Sequence, residues 1–164
     1  MFAFLKKRSK KRIYLATDHA GFHMKEEIKS FLKVEFEDFD IVDCGAYALD
    51  SSDDYPDFIS KAAKAVSKSK GVDFAIIFGG SGQGEAICAN KFRYVRAAVI
   101  NSENKDLVTL AREHNNANIL SFGARFVSLE FAKEAVKMFL NTNFDMQSRH
   151  KRRIDKILKK CRYV

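Results

Sequence analysis

Short apolar runs alternate along the chain with stretches in which apolar residues return every three or four positions, the periods of strands and helices respectively. Ile13 to Ala16 is the first run and ends at the polar cluster Thr17-Asp18-His19. Met24, Ile28, Phe31 and Leu32 then recur at helical spacing. A second strand is predicted around Phe39 to Val42, stopping at Cys44-Gly45. The loop from Ala46 to Asp57 holds the single proline, Pro56, which suits the first turn of a helix; that helix puts Ile59, Ala62, Ala63 and Val66 on one face. Asp73 to Phe78 reads as a fully buried strand and runs into Gly79-Gly80-Ser81-Gly82-Gln83-Gly84, followed by a helix to about Lys91. Val95 to Ile100 is the fourth strand, and Leu107, Ala111 and His114 mark the next helix. Ile119 to Phe122 is the fifth strand, and Ala132, Val136, Phe139 and Leu140 define the last long helix of the body.

Strand and helix in strict alternation, joined by short connections, predict a parallel sheet with helices on both faces. The expected fold is a three-layer, Rossmann-like α/β sandwich with a five-stranded parallel sheet and an added C-terminal basic helix. The 164 residues suit one domain. It spans residues 12–148, after a basic extension at 1–11 and before the basic helix at 149–164. Sheets of this kind bind ligands beyond the carboxyl ends of their strands. Asp18-His19, the glycine loop and the residues after Ile100 are all expected at that edge.

Charge changes the picture only locally. The net charge of +8 divides into +6 over residues 1–12, +7 over residues 149–164 and −5 over the body between them. An acidic body with basic ends argues against a nucleic-acid groove across the fold, and the extension reads as a solvated tail. No apolar run is long enough to span a bilayer, and charges follow Met1 to Leu5 too closely for a signal peptide. Cys44, Cys88 and Cys161 are scattered and match neither a disulfide framework nor a zinc site. A cytoplasmic protein without metal or membrane partner is the expectation.

The loop from Gly79 to Gly84 carries the strongest chemical signal. Glycines at 80, 82 and 84, between a strand and a helix, allow positive φ and let backbone N–H groups approach an anion. The loop is neither the dinucleotide fingerprint, since Glu85 stands where its last glycine belongs, nor a P-loop. A ligand-free tight turn is the alternative. Glu85, in the first turn of the following helix, is either a partner for the helix N-terminus or a general base. The helix field lowers its pKa and burial raises it. Asp18-His19 either caps a turn or aims a carboxylate and an imidazole into the cleft. His114 reads as a half-buried helix residue, with Asn115-Asn116 ending that helix. Arg149 and Arg153, spaced i, i+4, match a phosphate dianion or simply lie on a solvated basic face.

Taken in order, several motifs form one set: Thr17-Asp18-His19-Ala20-Gly21-Phe22, Asp54-Tyr55-Pro56-Asp57, Gly79 to Glu85, Ala89-Asn90-Lys91, Ala111 to Asn118 and Gly123-Ala124-Arg125. With Arg149-His150-Lys151-Arg152-Arg153 they resemble type B ribose-5-phosphate isomerase, the ribose/galactose/allose phosphate isomerase family, over roughly residues 12–157. The resemblance implies interconversion of ribose 5-phosphate and ribulose 5-phosphate without cofactor, by a homodimer or dimer of dimers with shared active sites. It places Asp18 and His19 at the sugar and phosphate end, and Tyr55 in the pocket. His114 would assist furanose opening with Asn115 beside it, and Arg125, Arg149 and Arg153 would hold the phosphate. Many members use as base a cysteine just before the glycine loop. That position here is Gly79, and the sequence resembles a second branch whose base is the glutamate at position 85.

The implied chemistry is a proton shuttle. Glu85 takes the C2 proton and returns it to C1 through a cis-enediol(ate), with Ser81 and the N–H groups of Gly80, Gly82 and Gly84 facing the developing oxyanion. Other readings are an isomerase of a six-carbon sugar phosphate such as allose or galactose 6-phosphate, a non-catalytic phosphosugar binder, and a nucleic-acid module acting through the basic ends.

Overall fold

The computed structural model describes residues 10–146 and 148–161. Apart from Lys10 and Lys11, the basic extension expected at 1–11 lies outside the described residues. The strands are β1 (Arg12–Thr17), β2 (Asp40–Asp43), β3 (Phe74–Gly79), β4 (Ala97–Ile100) and β5 (Ile119–Gly123). The helices are α1 (Phe22–Glu35), α2 (Pro56–Lys68), α3 (Gln83–Ala89), α4 (Lys105–Glu113), α5 (Leu129–Asn141) and α6 (Ser148–Lys160). A short 3-10 turn, His19–Gly21, links β1 to α1. Among the described residues no helix is long and apolar enough to cross a membrane.

All five strands pair in parallel, in the order β2-β1-β3-β5-β4. This is the α/β sandwich that the alternation predicts. The chain builds outward from β1 to both sides, so the carboxyl ends of β1 and β3 flank the switch point, where such a sheet leaves a crevice.

Alternation along the strands supplies two cores. Ile13 and Leu15 of β1, with Phe74, Ile76 and Phe78 of β3, pack under Ile28 and Leu32 of α1, Val108 of α4 and Phe131, Val136 and Phe139 of α5. The other faces of the same strands, Tyr14, Ala16, Ala75 and Ile77, meet Ile59, Ala62, Ala63 and Val66 of α2 and Ala89 of α3. Local chemistry starts the helices where expected. Pro56 occupies the first turn of α2. The Asn104 side chain accepts from Asp106 N–H at 3.0 Å to cap α4, and Ser128 Oγ accepts from Phe131 N–H at 3.2 Å to cap α5. Each such cap contributes about 1 kcal/mol.

Two features depart from the apolar pattern. In α4 the buried face is Val108, Ala111 and Arg112, whereas Leu107 is 45% exposed. Both stripes have helical spacing, and packing against the sheet selects the one with Val108. In α1 the fully buried side chain beside Ile28 and Leu32 is Lys25. Its Nζ donates to both Asp43 carboxylate oxygens at 2.9 and 3.0 Å and to the Ala46 carbonyl at 2.6 Å, tying the end of β2 to α1.

Candidate active site

A cleft of about 390 Å³ opens at the β1/β3 switch point, lined by Asp18, His19, Ala20, Tyr55, Gly80, Ser81, Gly84, Glu85, Arg125 and Phe126. Residues that follow β1, β3 and β5, together with the residue preceding α2, converge there. The strand-end edge expected from the sequence is therefore real for Asp18-His19 and the glycine loop, and Arg125 joins them from the turn after β5.

The loop is fixed from behind by β5. Gly79 pairs with Gly123 in register. Ala124 N–H donates to Gly79 O at 2.8 Å, Arg125 N–H to Gly80 O at 3.2 Å, and Ser121 Oγ–H to Gly82 O at 2.6 Å. Gly82 has φ +76°, and a Cβ there would come within 2.8 Å of the Ser121 carbonyl, so glycine is what lets the chain turn into α3. Gly82 is buried against β5 and is absent from the cleft lining, unlike Gly80 and Gly84. It shapes the loop from behind, because the left-handed turn needs contact with β5. A Cβ on Gly80 would stand 3.2 Å from the Arg125 guanidinium, and one on Gly84 2.9 Å from the Tyr55 ring. Both cleft side chains thus rest directly on glycine backbone.

Glu85 is 4% exposed. A Cβ built on Gly79 would collide with its carboxylate. The carboxylate therefore fills the space that a side chain at position 79 would need. Burial pushes its pKa above the usual glutamate range; its own backbone N–H opposes this, and the Asp18 charge adds to it. Burial prevails over the favourable field of the helix N-terminus. Cys88, one turn further along α3, is half-buried with its pKa raised by burial and by Glu85, and it does not line the cleft.

Asp18 both caps and faces the cleft: its Oδ1 accepts from Ala20 N–H at 3.0 Å. The two sequence readings of Asp18-His19 hold together. His19 is gripped by Asp53, a residue the sequence reading passed over. Asp53 Oδ1 accepts from His19 N–H at 2.9 Å and lies 2.7 Å from Nδ1. This contact, then the Asp18 and Asp53 charges, raise the His19 pKa against burial and the Arg125 charge. Asp18, His19 and Asp53 are the one trio of His, Cys, Asp or Glu among the described residues with donor atoms close enough to hold a metal, all within 4.8 Å. Those atoms are already engaged: Asp18 with the turn, and Asp53 with His19.

His114, Asn115, Arg149 and Arg153 do not line this cleft. His114 caps the carboxyl end of α4 and stacks on His150 of α6, ring centroids 4.3 Å apart and planes 11° from parallel. Arg149 Nε–H donates to His150 Nε2 at 3.2 Å. Asn115 lines a separate groove with Ile154 and Ile157, and Arg149 and Arg153 are exposed. His150, only 3% exposed, has its pKa lowered by burial and then by His114, Arg149 and Arg153, with Asp145 opposing. Phe126 and His150 were also missed. Phe126 follows Arg125 directly, and His150 lies inside the Arg149–Arg153 motif. Asp53 stands in a run of two acids before Tyr55-Pro56, where an acid ordinarily reads as a complement to the coming helix.

A parallel α/β sheet whose switch-point cleft brings a buried carboxylate together with an imidazole, an arginine and a glycine loop defines a class of proton-transfer enzyme on small anionic substrates. The family model described as Ribose/Galactose Isomerase matches residues 13–157, and the chain belongs to that family. The probable ribose-5-phosphate isomerase B of Mycoplasma genitalium is 41% identical over 147 residues, covering 90% of this chain and 93% of that one. Ribose-5-phosphate isomerase B of Mycobacterium tuberculosis is 40% identical over 144 residues, covering 88% and 86%. The crystal structure of the M. genitalium isomerase with bound ribulose-5-phosphate superposes with a TM-score of 0.85 at 39% identity, covering 93% of this chain and 97% of that one.

Proposed function

We propose that this chain interconverts ribose 5-phosphate and ribulose 5-phosphate, with Glu85 as the base. The observation that carries the reading is the Glu85 carboxylate, buried in a strand-end cleft at the space beside Gly79. A raised pKa brings a carboxylate closer to the range in which it can accept and return a proton. Glu85 takes the proton from C2 of the open-chain aldose, and the C2–H electron pair forms the C1=C2 bond of a cis-enediolate. The proton then returns to C1, giving the ketose. Ser81 and the loop N–H groups stabilise the oxyanion, and a hydroxyl or water relays the proton between O1 and O2. Asp18 and Tyr55 hold the sugar. His19 and Arg125 face the phosphate, so that binding energy remote from C1 and C2 orients the reacting carbons.

His114, Asn115, Arg149 and Arg153 enter this scheme from a second copy of the chain. They lie outside the protomer's own cleft, and exposed Ile87, Leu107 and Leu110 offer apolar surface for a contact. His114 of that copy then assists ring opening, and its two arginines complete the phosphate site. Assays of the purified protein with ribose 5-phosphate, allose 6-phosphate and galactose 6-phosphate side by side test the substrate. Turnover of the pentose phosphate is expected; turnover only of a hexose phosphate, or binding without turnover, would overturn it. Sedimentation analysis tests the second copy, with a dimer or tetramer expected.

A further inference from the structure

Asp53 has no part in the roles assigned above, yet it holds the cleft histidine at two points, the main-chain N–H and Nδ1. Its side chain is 10% exposed. Its second oxygen, Oδ2, is the one buried side-chain polar atom without a hydrogen-bond partner among the described residues. A shielded carboxylate with one oxygen unsatisfied directs its charge at the donors it does have. The short contact with Oδ1 keeps a proton on Nδ1 and leaves Nε2 as the ring nitrogen free for a ligand.

We propose that Asp53 is a positioning residue that keeps His19 doubly protonated, so that Nε2–H meets the substrate phosphate as a charged donor. This rests on the reading of His19 as a phosphate ligand. The charged groups around the ring are Asp53, Asp18 and Asp50 on the acidic side and Arg125 on the basic side. The three carboxylates favour the imidazolium and Arg125 opposes it, with Asp53 the nearest. The rise in the His19 pKa agrees with that balance. A phosphate ester becomes a dianion above about pH 6. Tight binding then occupies a window from there up to the pKa of His19, and Asp53 sets the alkaline end of that window.

The substitution Asp53→Asn retains a carbonyl oxygen that accepts both His19 bonds and removes only the charge. The test pairs an NMR titration of the His19 ring in the free protein, assigned with His19→Gln, with KM and kcat for ribose 5-phosphate across pH. In D53N the His19 pKa is expected to fall, and the alkaline rise in KM moves to lower pH with it. Between the two pKa values KM increases by up to about tenfold per pH unit of separation, while kcat changes less. Asp53→Glu, which restores a carboxylate, moves the limb back toward wild type. An unchanged His19 titration in D53N overturns the proposal. A KM increase that is the same at every pH also overturns it, since a merely structural role would have that signature. A His19 titration that shifts while the KM profile stays fixed leaves Asp53 in control of the imidazole but sinks the phosphate role of His19, so the two readings fail separately.

Discussion

The cleft beyond β1 and β3 and the surface formed by the end of α4 with α6 carry the same kinds of side chain under opposite conditions. His19 in the cleft is paired with Asp53 and surrounded by further carboxylates, which favour its charged form. His150 in α6 is buried against His114, with Arg149 donating to its ring, and both burial and the cations favour its neutral form. Arg125 rests on Gly80 at the cleft wall, whereas Arg149 and Arg153 project from an exposed helix. The cleft is assembled within one protomer by main-chain hydrogen bonds between the loop after β3 and β5. The α4–α6 surface is tied to itself, and its His114, Asn115, Arg149 and Arg153 do not line the cleft of their own protomer. Residue type alone therefore settles neither charge nor role; neighbours do.

The strongest test of the contrast is Glu85→Gln. If the cleft is where protons move, kcat should fall by about 10²- to 10⁴-fold while labelled substrate still binds, as read by turnover and equilibrium dialysis. Near-normal turnover would falsify the assignment.

A second test asks how much the fold around the cleft owes to the buried ion pair that ties the end of β2 to α1. Asp43→Ala leaves the buried Lys25 ammonium with only the Ala46 carbonyl and the partly exposed Glu26 carboxylate, 3.0 Å away, and should cost up to about 3–5 kcal/mol in denaturant unfolding. Lys25→Met, which removes the buried charge, should cost less.

The α4–α6 surface is tested by Arg149→Ala and Arg153→Ala. Each loses a charge-assisted contact of about 1.5–3 kcal/mol, so KM should rise by about ten- to a hundredfold with a smaller change in kcat. Mixing E85Q chains with doubly substituted R149A/R153A chains should restore up to roughly a quarter of the wild-type sites by random pairing. No recovery in the mixture would mean that each protomer uses only its own residues.

The smallest expected effect is in pH. A base acts only when ionised, so kcat/KM should decline as pH falls through the pKa of Glu85. Because that pKa is raised, the decline begins above the range of an ordinary glutamate. Asp18→Asn removes a charge that contributes to the rise and should move the acid limb to lower pH.

Much of the fold is legible along the chain because each strand and helix is short, bounded and periodic. Ile59, Ala62, Ala63 and Val66 announce the buried face of α2, and the structure buries all four. The phase of α4 is not legible, since Leu107 and Val108 both begin acceptable stripes and only contact with the sheet chooses. Lys25 was illegible for the same reason: a lysine reads as surface until Asp43 and the Ala46 carbonyl are brought to it. In the site, Gly79 followed by Glu85 was readable as a linked pair by resemblance to a branch of the family. That the carboxylate takes the very space left by the missing side chain is a fact of packing.

By itself the sequence determined the parallel α/β class, the strand-end edge and the identity of the chemical groups, because periodicity and loop composition act locally. Tertiary structure decided the strand order, which put β1 beside β3 and so placed Asp18 opposite Glu85. It also decided that burial raises the Glu85 pKa, that Asp53 holds His19, and that His114 and Arg149 close on His150 and not on the cleft. Each of these depends on residues distant in sequence meeting in a low-dielectric space, where a neighbour's charge or a lost water outweighs intrinsic preference.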